Sequence, residues 1–331
     1  MCCRYIVIAK GFCHSQYKSL LAGKCLYICK FKNQPATIVD KERFLMILIV
    51  AVYKEEKIWY NKIIMMDTSK RCYTMISGAT GGLGRAFADA CAGRGALFLT
   101  GRSEEKLLRL RQELAEKYPD LKVDTYACDL SDEAAREAMF GYIQKKGYRF
   151  NGLMNVAGID TQKAFIKYTQ HKIVQQCRVN FESALSFTHF VLENRADDLE
   201  IVTVSSLSGV YPMPYFAEYS ATKCALTSFF SSLRLEWKKM RVRITVVEPG
   251  GIYTRPDICE NIKGQGLWGR LSAKKPEYIA KKSLAAVKRN KRLIRPGFWN
   301  KFIAVVPRIL PLRVRMRFIA ARWSKIEKDA F

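Results

Sequence analysis

The sequence contains few of the residues that build metal sites, and it lacks the spacing of a disulfide framework. Only three histidines occur in 331 residues, and the eleven cysteines are scattered without a pairing rhythm. A small secreted domain that is held by disulfides has an even, regularly spaced set of cysteines. The pattern therefore disfavours a secreted disulfide scaffold and a metal centre, and it predicts reduced thiols in a cytoplasm.

Long hydrophobic runs are also lacking. The run FLMILIVAVY covers only ten residues, Phe44–Tyr53, whereas a membrane-spanning helix needs about 20. No small-residue cleavage site follows a charged start, which disfavours a signal peptide. Residues 1–66 hold five of the eleven cysteines and show no persistent helix or strand period. We expect the natural start at Met65 or Met66, with translated leader sequence upstream; a short membrane anchor is the alternative.

Acidic residues are few beside the basic ones. The chain has 56 Lys and Arg against 30 Asp and Glu, a formal net charge of +26, and residues 270–331 alone hold 18 basic and 3 acidic residues. Such a charge is compatible with two classes of anionic partner, nucleic acid and an anionic membrane. No zinc-finger spacing or aromatic RNA-binding signature accompanies it, so we predict no nucleic-acid partner.

From Cys72 onward the chain alternates between strand and helix patterns. Short apolar, β-branched runs predict buried parallel strands, and the helical patterns between them include 103–118 and 131–145, where Asp132 and Glu133 suit the positive end of a helix. The seven runs are CYTMIS, ALFLTG, KVDTYAC, FNGLMNVAG, EIVTVSS, RITVVEPG and KRLIRPG. This alternation predicts an α/β, doubly wound Rossmann-type domain with a seven-stranded, mostly parallel sheet and helices on both faces.

The predicted organisation has three segments. Residues 1–66 are an atypical extension that is not native or is poorly ordered, residues 67–300 form the single Rossmann-type domain, and residues 301–331 form a basic amphipathic tail. Apolar residues in the tail recur at steps of 4, 3, 4 and 3, which predicts one stripe on a helix. The stripe comprises Leu312, Met316, Ile319, Trp323 and Ile326, surrounded by Arg313, Arg315, Arg317, Arg322 and Lys325.

The basic tail helix has two interpretations. Its stripe could dock onto the protein's own core or a partner subunit, with the arginines as a solvated face. Alternatively, it could lie on an anionic membrane, with the stripe inward and the arginines at the headgroups. Charged residues interrupt every apolar run of the tail before about 20 residues, so we expect that it does not span.

A glycine cluster follows the first predicted strand in SGATGGLGRAFADA. Gly78, Gly82 and Gly84 lie where the strand turns into a helix. Glycines there permit a tight turn and let backbone amides approach a pyrophosphate at the helix N-terminus. The strand before and the helix after make dinucleotide binding the favoured interpretation.

A tyrosine precedes a lysine by four residues in SSLSGVYPMPYFAEYSATK. On a helix, Tyr219 and Lys223 would lie on one face. A free phenol has a pKa of about 10, and a nearby cation favours the phenolate and brings that pKa toward neutrality. The Tyr-x-x-x-Lys spacing also occurs by chance, so the spacing alone does not show whether the pair is catalytic.

Together these motifs resemble the short-chain dehydrogenase/reductase family over about 71–297. The glycine turn matches with Ser77 where Thr is usual, and the strand end at 155–158 matches with Val156 in place of a second Asn. The remaining matches to the family's motifs are Asn180, Ser206, Tyr219, Lys223, Pro249, Gly250 and Thr254.

The resemblance implies catalytic roles for four residues. Tyr219 is the general acid in carbonyl reduction and the general base in alcohol oxidation, and Ser206 hydrogen-bonds the substrate oxygen. Lys223 lowers the pKa of the phenol and hydrogen-bonds the nicotinamide ribose, and Asn180 holds a water for proton relay. Two alternatives stay open: Ser205 could be the working serine, and Asn180 could only cap a backbone group.

The expected cofactor is NADP(H). Arg102 and Ser103 follow the second strand, where an acidic residue would repel a 2′-phosphate and a guanidinium suits one. A solvated surface arginine is the alternative. The resemblance implies that Asp129 and Leu130 contact the adenine. The expected cofactor residues are Gly78, Thr80, Gly82, Leu83, Gly84, Arg102, Ser103, Asp129, Leu130, Asn155, Ala157, Gly158, Tyr219, Lys223, Pro249, Gly250, Ile252 and Thr254.

The expected substrate is a bulky lipophilic ketone or secondary alcohol bound by Ser206 and Tyr219. Apolar and aromatic residues in two loops suit such a molecule. We expect a hydroxysteroid or bile acid first, a 3-oxoacyl lipid second and a small sugar or polyol third. The loop residues concerned are Leu267 and Trp268, in the lid that the resemblance implies, and Tyr211, Met213, Tyr215 and Phe216.

The overall expectation is a cytoplasmic NADP(H)-dependent oxidoreductase that forms a homodimer or homotetramer, with peripheral membrane contact through the tail as an option. The rival class is a non-catalytic NADP-sensing or membrane-surface binding protein. A sensor would be expected to lose Tyr219 or Lys223, and both are present.

Overall fold

The computed structural model describes residues 18–21, 24–29, 37–40, 72–254, 262 and 266–324. The chain divides into two units, residues 1–69 and 70–331. The first unit contains an antiparallel sheet of β1 (Lys18–Leu21), β2 (Lys24–Cys29) and β3 (Thr37–Asp40), in that order. The sequence did not predict these strands, because segments of four to six residues carry almost no periodic signal.

The second unit is built on one seven-stranded sheet in which every neighbouring pair of strands is parallel. The spatial order is β10-β9-β8-β7-β4-β5-β6. The predicted fold is confirmed, and the sheet is parallel throughout. Its strands are β4 (Cys72–Ser77), β5 (Ala96–Gly101), β6 (Val123–Ala127), β7 (Arg149–Asn155), β8 (Arg195–Val204), β9 (Val242–Val247) and β10 (Leu293–Ile294).

The helices follow the strands along the chain. A π-helical turn, Arg178–Glu182, joins two of them. They are α1 (Gly82–Cys91), α2 (Glu104–Lys117), α3 (Glu133–Lys146), α4 (Gln170–Cys177), α5 (Ser183–Glu193), α6 (Ala217–Glu236), α7 (Gly266–Ser272), α8 (Pro276–Lys288), α9 (Phe298–Val305) and α10 (Leu312–Trp323).

The two predicted helix starts are confirmed by their capping contacts. The Ser103 hydroxyl accepts a hydrogen bond from the Lys106 amide at 3.3 Å at the start of α2. The Asp132 carboxylate accepts one from the Ala134 amide at 2.9 Å at the start of α3. Each bond satisfies an amide that has no partner within its own helix.

Both faces of the sheet carry apolar side chains, which explains why its strands read as continuous apolar runs. Successive side chains of a strand point to opposite faces. In β5, Phe98 packs into one core cluster with Phe150 and Phe187, while Leu97 and Leu99 pack into the other. All five side chains are fully buried. The sheet is therefore a rigid base that holds the loops at its carboxyl edge.

The chain leaves the central strand β4 toward β5 on one side, and β7 lies on its other side. In open parallel sheets, such a reversal opens a crevice at the carboxyl ends of the two strands. Ser77 and Asn155 are the last residues of β4 and β7 and form a register pair there. The crevice is the place where the fold predicts a ligand.

The tail predicted at 301–331 supplies part of α9 and all of α10. Along α10, Met316, Ile319 and Trp323 of the predicted stripe are partly buried. Leu312 is 45% exposed, so it does not belong to the packed face, and Ile326 lies outside the described residues. Over the part of the chain that the structure describes, no helix has the length and hydropathy to cross a membrane.

Candidate active site

The glycine turn between β4 and α1 depends on three missing side chains. Gly78 has a φ of 66°, and a Cβ on it would lie 2.8 Å from the Ala157 Cα. A Cβ on Gly82 would lie 2.9 Å from the Thr254 Cβ, and one on Gly84 would overlap the Gly78 carbonyl oxygen. The turn thus packs backbone against backbone, which leaves no space for larger residues.

This turn fits a dinucleotide. Helix α1 begins at Gly82 without a side-chain cap, so its first amides keep their capacity to donate to a pyrophosphate. The Ser77 hydroxyl accepts hydrogen bonds from the amides of Val156 and Ala157 at 3.1 and 3.3 Å. These bonds hold the ends of β4 and β7 together beneath the glycine turn.

The predicted adenosine residues lie on the two strands beyond the glycine turn. Arg102 is exposed after β5, and Asp129 and the buried Leu130 follow β6. Although burial alone would raise the pKa of Asp129, hydrogen bonds from Ser131 and the charge of Arg102 hold it below its ordinary value. The Asp129 carboxylate is thus close enough to Arg102 for the two charges to interact. Ser103 caps α2 through its oxygen, and its hydroxyl can still donate.

The predicted catalytic side chains Ser206, Tyr219 and Lys223 come together beside a cavity at the carboxyl edge of the sheet. Tyr219 is in the first turn of α6, and Lys223 follows one turn later. A side-chain hydrogen bond joins Tyr219 to Ser206. The Lys223 Nζ donates to the Val204 carbonyl at 3.0 Å and lies 5.6 Å from the centre of the Tyr219 ring. The arrangement places a phenol, a hydroxyl and an ammonium at one edge of the sheet.

The electrostatics of the site differ from the expectation for Tyr219. Burial raises the pKa of Tyr219 above its ordinary value, Asp160 raises it further, and the hydrogen bond with Ser206 lowers it. Burial lowers the pKa of Lys223 to about 8, and Asp160 opposes that shift. The expected lowering of the phenol pKa by Lys223 is not found, because burial and Asp160 raise that pKa and Ser206 is the group that lowers it. At neutral pH the phenol carries its proton.

Asn180 lies fully buried in the π-helical turn and holds a backbone segment. Its Oδ1 accepts from the Ile159 amide at 2.8 Å, and its Nδ2 donates to the Ile159 carbonyl at 2.9 Å and to the Thr222 hydroxyl at 3.2 Å. These are the backbone contacts that the capping alternative expects, and the proposed relay role is not tested by them. A Cβ on Gly158 would lie 3.1 Å from the Lys223 Nζ and 3.5 Å from the Asn180 Oδ1, so this glycine allows the three residues to meet.

The two neighbouring serines have different surroundings. The Ser205 hydroxyl is buried, donates to the Lys223 carbonyl at 2.7 Å, and accepts from the Thr227 hydroxyl at 2.9 Å. Ser206 accepts from the Ser208 amide at 3.1 Å and bonds the Tyr219 side chain. Ser205 thus joins β8 to α6, and Ser206 is the serine that is oriented toward the phenol.

A cavity of about 700 Å³ with mainly apolar walls opens beside these groups. Its walls include Leu83, Gly158, Ser206, Tyr219, Lys223, Pro249, Gly250, Ile252 and Thr254 of the predicted set. The other predicted cofactor residues lie outside the cavity wall, at the carboxyl ends of β4 to β7. These are Gly78, Thr80, Gly82, Gly84, Arg102, Ser103, Asp129, Leu130, Asn155 and Ala157.

The loop before Tyr219 contributes three of its four predicted residues to the cavity, Tyr211, Met213 and Phe216. Tyr215 does not line it, and its backbone has a φ of 64°. The side chains of Leu267 and Trp268 lie outside the part of the structure that is described.

Sequence reasoning missed the part of the cavity wall that α10 provides. Trp323 stacks on Phe216 at 6.2 Å between ring centres, and Phe216 stacks on Tyr219 at 4.4 Å. Asp160 and the buried Gln162, just beyond β7, were also missed. The apolar stripe of α10 was a usable signal, but its target depends on tertiary packing that periodicity does not encode.

Comparison with known proteins agrees with this geometry. The sequence model of the short chain dehydrogenase family matches residues 73–261. The chain belongs to the short-chain dehydrogenase family. Members are oxidoreductases that use a nicotinamide dinucleotide, NAD(H) or NADP(H). The glycine turn, with its uncapped helix start, is where this chain can hold that cofactor.

Two relatives illustrate the range of the family. Dehydrogenase/reductase SDR family member 7B of Xenopus tropicalis is 32% identical over 270 residues, which cover 77% of this chain and 86% of the relative. Sulfoacetaldehyde reductase 2 of Chromohalobacter salexigens is 31% identical over 184 residues, which cover 53% of this chain and 71% of the relative.

Solved structures share the fold. A 7beta-hydroxysteroid dehydrogenase has a TM-score of 0.65 at 23% identity, covering 75% of this chain and 96% of its own. The L-sorbose reductase of Gluconobacter frateurii, solved with NADPH and L-sorbose, has a TM-score of 0.61 at 21% identity. The match covers 68% of this chain and 95% of the reductase chain. At these identities the likeness concerns the fold alone.

Cofactor binding by the free enzyme should weaken as the pH rises through about 8. Because burial lowers the pKa of Lys223 to about 8, its ammonium is charged below that pH and neutral above it. The Kd for NADPH, followed by fluorescence, should therefore rise across this range, whereas Lys223→Met should bind weakly with a flat profile. A flat profile for the unmodified enzyme would contradict the shift.

Proposed function

We propose that the protein is an NADP(H)-dependent oxidoreductase that interconverts a ketone and a secondary alcohol on a bulky lipophilic molecule, a hydroxysteroid or bile acid first. The observation that carries this proposal is the convergence of Tyr219, Ser206 and Lys223 on a mainly apolar cavity of about 700 Å³. The proposed setting is the cytoplasm, and the proposed assembly is a homodimer or homotetramer.

In this proposal Tyr219 is the proton donor of carbonyl reduction. When bound, the reduced nicotinamide supplies the hydride that forms the new C–H bond. Negative charge then builds on the substrate oxygen, and Ser206 stabilises it by a hydrogen bond. The Tyr219 O–H bond breaks and its proton goes to that oxygen, which completes the alcohol. A phenol that keeps its proton at neutral pH suits this direction.

Lys223 and Asn180 support the proton transfer. The Lys223 ammonium lies 5.6 Å from the centre of the Tyr219 ring. Once the phenolate has formed, this ammonium stabilises its negative charge. Asn180 fixes the Ile159 peptide through two hydrogen bonds, and this peptide adjoins Gly158 beneath the ammonium. Asn180 is proposed to support reprotonation of Tyr219 through a water held in the π-helical turn.

The shape and chemistry of the cavity support a lipophilic substrate. Met213, Phe216 and Trp323 face it together with aliphatic side chains of α9 and α10. A 3-oxoacyl lipid is the second candidate and a small sugar or polyol the third, because the apolar surface of these walls exceeds the polar surface. NADPH oxidation should be measured with steroid, acyl and sugar ketones under identical conditions. Turnover of the sugar alone would overturn the lipophilic assignment.

Tyr219→Phe should lower turnover by about 10²–10⁴-fold, because it removes a general acid. NADPH binding should stay nearly intact, since the ring that stacks on Phe216 is retained. Rate and cofactor Kd should be measured on the same preparation. Retention of more than about a tenth of the rate would contradict the role of Tyr219. NADPH binding without turnover of any ketone by the unmodified protein would favour a non-catalytic sensor.

The NADP(H) preference rests on Arg102. Its exposed guanidinium follows β5, at the position where an acidic residue would select the free 2′-hydroxyl. A planar guanidinium can bind a phosphate through two parallel hydrogen bonds. Its charge also reaches Asp129, so the two side chains would bracket the adenosine end of the cofactor.

Arg102→Asp should shift the preference from NADPH toward NADH by about tenfold or more, because it replaces a charge-assisted phosphate contact with repulsion. The measurement is the ratio of kcat/KM for the two cofactors. Arg111→Asp changes the same charge at an exposed position on α2 and should leave the ratio unchanged. Equal use of both cofactors by the unmodified enzyme would refute the assignment.

We also propose that the outer side of α9 and α10 contacts an anionic membrane surface. Phe298 and Ile309 are 75% and 84% exposed and do not line the cavity, and Arg313 and Arg317 are exposed near them in the chain. Exposed apolar side chains beside cations are typical of helices that lie at a lipid interface. The proposal uses the face opposite to the predicted stripe, because Met316, Ile319 and Trp323 turn inward.

Sedimentation with anionic vesicles tests this surface. The protein should bind at low salt and less at high salt, and Phe298→Asp with Ile309→Asp, at two residues outside the cavity wall, should abolish binding while ketone reduction continues. Ile166→Asp, at a 92% exposed residue in a different loop, is the matched control. Unchanged sedimentation of the double variant would exclude this face.

A further inference from the structure

Arg315 of α10 is a cation in the cavity wall, and no described residue forms an ion pair with it. Its guanidinium carbon lies 5.0 Å from the centre of the Tyr211 ring, and both residues line the cavity. Its Nε is buried and has no hydrogen-bond partner among the described residues. No described carboxylate pairs with it either. A buried donor of this kind is costly unless a ligand satisfies it.

The guanidinium is held in place by the groups around it. The Tyr211 hydroxyl donates to the carbonyls of Ile303 and Ala304 at 2.9 and 2.7 Å, which fixes the ring against α9. The cation then lies over a fixed aromatic face, an arrangement that is attractive by itself. Arg315 is thus positioned before any ligand enters, and a ligand would not need to order its side chain.

The position of Arg315 along α10 separates it from the reacting groups. Trp323 stacks on Phe216, which stacks on Tyr219, so the end of α10 lies toward the phenol. Arg315 precedes Trp323 by eight residues, a helical rise of about 12 Å. Arg315 therefore lines the cavity about two helical turns before Trp323.

Charge is distributed unequally over this length. Asp160 acts at the catalytic end, where it raises the pKa of both Tyr219 and Lys223. Arg315 and Arg322 both line the cavity, and their spacing of seven residues places them on one face of α10. Helix α10 thus contributes cationic side chains to this wall, and Leu312–Trp323 contains no carboxylate.

We propose that Arg315 binds the carboxylate of an amphipathic substrate whose ketone or alcohol lies at Tyr219. The substrate is then a lipophilic keto or hydroxy acid whose carboxylate lies in the part of the cavity that Arg315 and Tyr211 line. A carboxylate matches the guanidinium fork with two parallel hydrogen bonds and satisfies the buried Nε. This inference rests on the proposed function and selects acids from among the lipophilic substrates.

The test compares a steroidal hydroxy acid with its methyl ester, which has the same skeleton and no charge. Binding to the NADPH-loaded protein is measured by calorimetry; this combination cannot turn over, because both the alcohol and the cofactor are already in their reduced form. The unmodified protein should bind the acid about 10- to 100-fold more tightly than the ester, the range of a hydrogen bond to a charged group. Arg315→Met should remove that preference by weakening the acid alone, and Arg315→Lys should keep part of it.

Arg317→Met is the matched control, since it removes the same charge from the same helix at an exposed residue outside the cavity wall. It should leave both affinities unchanged. Equal affinity of the unmodified protein for acid and ester would overturn the proposal. So would an equal loss of both ligands in Arg315→Met, because that loss would mean packing rather than ion binding. A preference for the acid in a protein that reduces no ketone would leave this site standing and remove the proposed function.

Discussion

A buried ammonium fixes the geometry of the site. The Lys223 Nζ donates to the carbonyl of Val204, the last residue of β8, at 3.0 Å, and it lies against Gly158 just beyond β7. One cation thus joins two strand ends to α6. Burial opposes its charge and lowers its pKa to about 8, so the contact persists because the surrounding sheet is rigid. The position of Tyr219, one turn earlier, follows from it.

The same buried environment raises the pKa of Tyr219, whereas it lowers the pKa of Lys223. Burial disfavours the charged form of either group, whereas Asp160 favours the ammonium of Lys223 and the neutral form of Tyr219. Asp160 therefore keeps a proton on both groups. The free site holds the proton that carbonyl reduction consumes, and Ser206 is the neighbour that favours the phenolate.

The seven strands, the glycine turn and the starts of α2 and α3 could be predicted, because each depends on local period, backbone freedom or a capping side chain. The convergence of Ser206, Tyr219 and Lys223 was predicted through resemblance. The raised pKa of Tyr219 was not predicted, since it comes from burial and from Asp160, and only the folded chain brings these about. The wall formed by Arg315 and Trp323 was missed for a related reason. An apolar stripe predicts which residues share a face of a helix, but it does not predict what that face covers.

Helix α10 packs over the cavity without a single fully buried residue. Substitutions on such an element cost little folding free energy compared with those in the sheet. The groups proposed for proton transfer lie just after β8 and on α6, whereas the rest of the cavity wall comes largely from loops and α10. Selection can therefore alter which molecules are accepted by changing the C-terminal helix alone. Divergence among related enzymes is expected to be fastest there, while the chemistry at the strand ends stays constant.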